Sequence, residues 1–279
     1  MAIVELDRVS KTYGTFPALK SLSLSVEEGD LYGFIGPNGA GKTTTIRILS
    51  TLLLPTQGTA YVGGINVVTD PYAVKQVLGY MPDNFGLYDG MRLREYLDFF
   101  GAAYKIPARK RVSVVDDVLE LTNMTKHADD FVSNFSRGMK QRACLAKTLI
   151  HDPLVLLLDE PASGLDPRAR IEIRELLKKL RDNGKTILIS SHILSELGDM
   201  CNKIAVIDQG KLLANGDYRA IMREMRQDQT LRIEVLDGSD TAKNILEAME
   251  SVNHVEQSGN EFQVRGVFGR EEIAALHSK

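Results

Sequence analysis

Two cysteines, Cys144 and Cys201, are all that 279 residues offer for sulfur chemistry, and their separation fits neither a disulfide framework nor a metal site. Free thiols of this kind suit a reducing compartment. Long apolar runs are also missing. None approaches the ~20 residues that a membrane span needs, and Met1-Ala2-Ile3-Val4-Glu5-Leu6-Asp7 lacks a signal-peptide pattern. Strong charge is absent too: the formal net charge is −3 and the Lys/Arg clusters are short, which gives no electrostatic case for a nucleic-acid surface. These absences predict a cytoplasmic protein that neither inserts in a membrane nor binds nucleic acid. The length suits one domain with a substantial core plus a small appendage, or two modest domains.

Gly36-Pro37-Asn38-Gly39-Ala40-Gly41-Lys42-Thr43 fits the phosphate-binding pattern G-x-x-x-x-G-K-[S/T]. The preceding Leu31-Tyr32-Gly33-Phe34-Ile35 reads as a buried strand, and Thr43 to Leu53 follows with helical spacing at Ile46, Leu49, Leu52 and Leu53. A phosphate would therefore land on a helix N-terminus. Glycines 36, 39 and 41 allow backbone N–H groups to turn inward around phosphate oxygens, where side chains would obstruct the approach. Lys42 is placed for the β- and γ-phosphates, Thr44 follows in the same loop, and Thr43 supplies a hydroxyl for Mg²⁺, a hard ion that takes oxygen ligands.

Leu154-Val155-Leu156-Leu157-Leu158 reads as a strand buried on both faces, ending in Asp159-Glu160. Asp159 is placed to hold the Mg²⁺ shell, leaving Glu160 for an attacking water. A pair of solvated acids at a strand end is the competing account. Asn134-Phe135-Ser136-Arg137-Gly138-Met139-Lys140-Gln141-Arg142 opens a helix running to about Ile150, with Ser136 as N-cap. Its anion-binding end, carrying the Ser136 hydroxyl and the Gly138 N–H, suits a second grip on a phosphate.

A phosphate loop, then Ser-x-Gly-x-x-Gln-Arg, then an apolar strand with Asp-Glu resembles the order of the ATP-binding cassette (ABC) family. The family signature is most often Leu-Ser-Gly-Gly-Gln. Here it is Phe135-Ser136-Arg137-Gly138-Met139, which keeps the serine and the second glycine. The resemblance covers about residues 2–218 and implies an ATPase subunit that binds ATP and Mg²⁺. It further implies that Ser136 and Gly138 face the phosphate loop of a second ATPase subunit in a head-to-tail homodimer.

Further segments follow the same pattern. Ser163-Gly164-Leu165-Asp166-Pro167 resembles the family's D-loop at the dimer seam, although Asp166 as N-cap and Pro167 at the first helical position explain both residues structurally. His192, after the strand Thr186–Ser190, falls where the family has its switch histidine. A helix start there would disfavour its protonated form and suit a γ-phosphate sensor. Tyr13 resembles the aromatic that stacks on adenine, with Phe16 as its rival and a plain hairpin turn as the bland account. Asp83 stands where the family usually has a glutamine that contacts metal and water; it is shorter but keeps an oxygen ligand.

The implied fold is α/β: a P-loop NTPase cassette with a parallel-sheet core, an antiparallel β flank and an inserted helical subdomain at about 86–150, spanning 1–218. Residues 1 to about 35 and 58–68 favour strands, including the alternation Leu22-Ser23-Leu24-Ser25-Val26. Beyond Asp217, a charged helical stretch leads into strand, helix, strand, strand and a last helix at 270–277. This makes 219–279 a linker and a small ferredoxin-like α+β domain lacking its final strand.

Phe85, Tyr88, Tyr96, Phe99, Phe100 and Tyr104 crowd into 20 residues after Asp83. The last four share a helical stripe, so some of them are expected in the core. Phe85 and Tyr88 precede that helix, in the region that in the family receives a short helix of the membrane subunit. The resulting expectation is an exporter-type subunit, peripheral at the inner face of the membrane, whose integral-membrane permease docks near Phe85 and Tyr88. A nucleotide switch outside transport is the alternative, without the inserted coiled coils or second cassette of such proteins. A catalytically silent scaffold is opposed by Lys42, Asp159, Glu160 and His192.

Overall fold

Alternation along Leu22-Ser23-Leu24-Ser25-Val26 puts the three apolar residues inside and the serines outside, the pattern of a sheet with one wet face. A computed structural model describes residues 2–84, 86–198, 200–226, 229–236, 239–249 and 252–266. Phe85 and the helix expected at 270–277 lie outside the described residues. The chain forms two units, divided after Gly216.

In the first unit, β1 (Ala2–Tyr13), β2 (Phe16–Glu27), β4 (Gln57–Val62) and β5 (Ile65–Asn66) make an antiparallel sheet in the order β2-β1-β4-β5. A second sheet runs β10-β9-β3-β8-β7-β6, from β3 (Leu31–Ile35), β6 (Leu78–Met81), β7 (Val155–Leu158), β8 (Thr186–Ser191), β9 (Lys203–Asp208) and β10 (Lys211–Asp217). β6, β7, β8, β3 and β9 pair in parallel. β3, β7 and β8 are buried at every position, as strands covered on both faces must be. Leu24, Val26, Phe34, Ile46, Leu49, Val62, Leu157 and Leu188 share one apolar core that joins both sheets.

The helix after the phosphate loop, α1 (Lys42–Leu49), stops earlier than its apolar spacing predicts. Ser50 caps it, Thr51 turns to φ 63°, and Leu52 is 58% exposed, so Leu52 and Leu53 belong to the exit rather than to the helix. The chain then passes α2 (Pro71–Val77) and, beyond β6, enters the helical part: α3 (Leu93–Ala103), α4 (Ala108–Leu121) and α5 (Arg137–Leu149). The Glu95 carboxylate accepts the Arg92 N–H at 2.9 Å and so fixes the start of α3. Tyr96 is fully buried there, but Phe99 is 48% exposed. Of the aromatics on this stripe, Tyr96 is thus a core residue and Phe99 is not. A neighbour at i+3 sits about 60° off the direction of residue i on a helix, and here that offset carries Phe99 out to the solvent-facing edge.

Before α6 (Pro167–Asp182), Asp166 accepts the Ala169 N–H at 2.9 Å, with Pro167 at the first helical position. A one-turn helix, α7 (Leu194–Leu197), follows β8.

The second unit holds α8 (Tyr218–Arg226), β11 (Gln229–Glu234), α9 (Ser239–Glu247), β12 (Val252–Ser258) and β13 (Glu261–Gly266). Its strands lie in the order β11-β13-β12, antiparallel, with Leu231 opposite Val264 and Ile233 opposite Phe262. Leu246, Phe262 and Val264 form its core.

Candidate functional site: a nucleotide cleft at the strand ends

In parallel sheets with helical crossovers, ligands gather beyond the carboxyl ends of the strands. Here β8 lies between β3 and β7, so three strand ends deliver adjacent side chains: the phosphate loop after β3, Asp159-Glu160 after β7, and Ser190-Ser191-His192 at the end of β8. A cavity of about 270 Å³ opens there, lined by Tyr13, Phe16, Asn38, Gly39, Gly41, Lys42, Thr43, Thr44, Asp83 and Glu160. Tyr13 and Phe16 face each other across the β1–β2 register and both line the cleft.

The phosphate loop is held from outside. A Cβ on Gly36 would stand 2.2 Å from the Ile207 carbonyl oxygen, and one on Gly41, at φ 113°, would meet Leu19 at 2.6 Å. These two glycines are demanded by the protein's own packing. Gly39, at φ 82°, has open space around it, and it is its backbone conformation that favours glycine. The Ala40 N–H donates to Pro37 O at 3.1 Å, and the Gly210 N–H, from the β9–β10 turn, donates to Ala40 O at 2.9 Å.

Lys42 is nearly buried. Its ammonium donates to Gly36 O at 2.6 Å and Pro37 O at 3.2 Å, and stands 3.4 Å from Glu160 Oε1. Glu160 Oε2 accepts from His192 Nδ1 at 2.8 Å. Glu160 itself has φ 51°, an uncommon left-handed conformation for a side-chain-bearing residue. His192 does not sit on a substantial helix: α7 is one turn long, so the expected dipole effect is small, and the direct partner of the ring is the Glu160 carboxylate.

Asp159 is 2% exposed. Burial pushes its carboxyl up from the usual range, while hydrogen bonds from Ser190 and Thr43 act in the opposite direction, and Glu160 and Asp83 raise it further. Thr43 and Asp159 thus offer neighbouring hard oxygen donors on one side of the loop, with Asp83 close enough to be felt. Among the described residues no three His, Cys, Asp or Glu side chains converge on a metal-holding group. This donor set fits Mg²⁺, which is held by one or two protein oxygens together with phosphates and water, and does not resemble an all-protein cage.

Ser136 and Gly138 line a different cavity of about 280 Å³, with Arg137, Leu165, Asp166 and Ala169 among its walls. Ser136 caps α5, accepting the Met139 N–H at 3.3 Å. Arg137 Nε donates to Ser163 O at 3.0 Å, which ties the head of α5 to the segment before α6. Within one chain, then, the head of α5 and the phosphate loop do not share a cleft.

Sequence reasoning missed Ser190. It is fully buried, donates to Asp159 Oδ1 at 2.7 Å and accepts the Glu160 N–H at 2.9 Å. Its one signal was a hydroxyl at the carboxyl end of an otherwise apolar strand.

Residues 19–163 match the family described as ABC transporter. The linearmycin resistance ATP-binding protein LnrL of Bacillus subtilis is 33% identical over 278 residues, 99% of this chain and 86% of that protein. The daunorubicin resistance ATP-binding protein DrrA3 of Streptomyces coeruleorubidus is 37% identical over 226 residues, covering 81% of this chain and 72% of its own length. Among solved structures, a dimeric bacterial ABC transporter cassette superposes with a TM-score of 0.70 at 25% identity, over 77% of this chain and 99% of that one. With the phosphate loop, the paired carboxylates and the histidine at neighbouring strand ends, the chain belongs to the ABC transporter family, as one of its ATP-binding, ATP-hydrolysing subunits.

Proposed function

We propose that this chain binds Mg-ATP between two copies of itself and uses its hydrolysis to drive export through a separate membrane permease. The observation that carries the reading is the Lys42–Glu160–His192 relay beside Thr43–Asp159, all at neighbouring strand ends.

Backbone amides of residues 36–44 cradle the phosphates, and Lys42 moves its charge onto the β- and γ-phosphates. Tyr13 stacks on the base. Thr43, Asp159 and Asp83 would hold Mg²⁺, which would supply positive charge to offset that of the phosphates. Glu160 accepts a proton from the attacking water, and His192 orients Glu160 through Nδ1–H. Ser136 and Gly138 complete the site of the second copy. Two copies related by a two-fold axis then bury two nucleotides, and ATP forms part of their interface.

The exporter direction is supported by relatives named for antibiotic resistance. The permease docks near Phe85 and Tyr88, of which Tyr88 is 50% exposed. Among the described residues no helix is long and apolar enough to cross a membrane, so we place the chain peripherally at the inner face. The cassette takes residues 1–218, and a linker and small ferredoxin-like domain take 219–279.

The test is Mg-dependent ATPase activity of the purified chain, together with capture of a membrane protein by the tagged chain from its native cells. Hydrolysis without any membrane partner would favour a soluble nucleotide switch.

A further inference from the structure

Ser190 is a small polar residue in the most apolar layer of the molecule, and its single hydroxyl does two things. It donates to Asp159 Oδ1 at 2.7 Å and accepts the Glu160 N–H at 2.9 Å. The ladder between β7 and β8 ends with Leu158 opposite Ile189, so the Glu160 amide has no strand neighbour to pair with. Ser190 takes the place of that missing carbonyl. On the opposite edge of β8 the Gly36 N–H donates to Ser191 O at 3.3 Å, which joins the same strand end to the start of the phosphate loop.

We propose that Ser190 is a positioning residue for ATP hydrolysis, setting the Asp159 and Glu160 side chains in their working orientations through one shared hydroxyl. The inference rests on the roles proposed above for those two carboxylates. Three observations carry it. The hydroxyl is fully buried, so water does not compete for it. Its donated bond occupies Asp159 Oδ1, on a carboxylate that Thr43 also hydrogen-bonds. Its accepted bond holds the amide of a residue at φ 51°, where the carboxylate can reach both Lys42 and His192. A rotation of the Glu160 backbone out of that conformation would swing the carboxylate away from both.

The obvious alternative is that Ser190 only satisfies a buried amide. That role would affect stability and leave kinetics alone. Threonine and valine separate the two accounts, because they add the same bulk and differ in the hydroxyl. In the full chain, Ser190→Thr should keep kcat within about threefold of wild type. Ser190→Val should lower kcat by roughly 10–100-fold, the usual effect of losing a group that orients a ligand residue. The KM for ATP should stay within a few-fold, since the phosphate loop is intact. Calorimetric titration of ATP into each protein at several Mg²⁺ concentrations gives a readout apart from turnover: Ser190→Val should need roughly tenfold more Mg²⁺ for half-maximal tightening.

Equal kcat and equal Mg²⁺ dependence for the Thr and Val variants would overturn the proposal, as would a Val variant whose only change is a lower melting temperature. Glu160→Gln serves as the reference. If that variant hydrolyses ATP normally, the reading of Glu160 fails. If it is inactive while Ser190→Val matches Ser190→Thr, only the Ser190 proposal fails.

Discussion

Lys42 Nζ and Glu160 Oε1 stand 3.4 Å apart with both side chains largely withdrawn from solvent. The ammonium is therefore shared among one carboxylate and the Gly36 and Pro37 carbonyls. In the proposed reading, a triphosphate at the loop would bring more negative charge to the same ammonium and displace Glu160 from it, which would free Oε1 for a water. Glu160→Gln should lower turnover by roughly 10²–10⁴-fold while Mg-ATP binding persists. Lys42→Ala should weaken ATP binding by roughly 10–100-fold, the worth of a hydrogen bond to a charged group. Binding and steady-state assays on the two variants check both outcomes.

Ser136 and Gly138 line a cavity separate from the phosphate loop of their own chain, so the phosphate contact proposed for them would need a second copy. In a Glu160→Gln background, ATP should convert monomer to dimer on sizing. Adding Ser136→Arg should abolish that shift and leave ATP binding by the monomer intact. A dimer that persists with bound ATP would refute the composite site.

Tyr88 is half exposed, yet its ring meets Tyr96 at 6.0 Å, Phe99 at 5.9 Å and Phe100 at 6.4 Å between centroids. Tyr88→Ala should disrupt co-purification with the permease and keep basal ATPase activity within a few-fold. It should also cost some stability, because each aromatic pair is worth about 0.5–1.5 kcal/mol. Phe100→Ala is the control: as a partly buried ring it should lower thermal stability by less than the about 3–5 kcal/mol of a fully buried phenylalanine, while retaining permease capture.

His151 stacks on Tyr104 with ring centroids 3.8 Å apart, and its Nε2–H donates to Leu78 O at 3.0 Å. Burial holds the imidazole below its ordinary pKa, against the opposing effect of the Leu78 bond. Between that depressed value and ~6.5 the unfolded chain carries a proton that the folded chain does not, so stability falls as pH drops through this window. Thermal unfolding from pH 7 to 5 should show a steeper loss for wild type than for His151→Gln.

Cys144 and Cys201 are both buried, and burial pushes both thiols up. A thiolate is the reactive species. Thiol reagents should therefore titrate no cysteine in the native protein and both in denaturant. Rapid native labelling would contradict this.

Much of the site could be read along the chain because its parts are local. The loop 36–43, the pair Asp159-Glu160, the Ser136 cap and the Asp166-Pro167 helix start each depend on neighbours within a few residues. The Leu22–Val26 alternation is local in the same sense. What could not be read depends on strand order. Nothing in the sequence says that β8 lies between β3 and β7, and only that placement brings Ser190 against Asp159 and His192 against Glu160. The end of α1 was misjudged because Leu52 and Leu53 extend the apolar spacing while the backbone turns at Thr51.

The turn at Gly210 has a consequence for affinity. Its amide holds Ala40 O, and its carbonyl accepts the Lys20 N–H at 2.9 Å. A Cβ there would stand 2.5 Å from Ala18 O. One tight turn thus clamps the phosphate loop to both sheets at once. The conformational entropy of the loop is surrendered when the protein folds rather than when a nucleotide arrives, so binding begins from a nearly finished cradle and loses little of its free energy to ordering. Distant changes that loosen the β9–β10 turn should then register as weaker nucleotide affinity, although no residue of that turn is among the residues lining the nucleotide cleft.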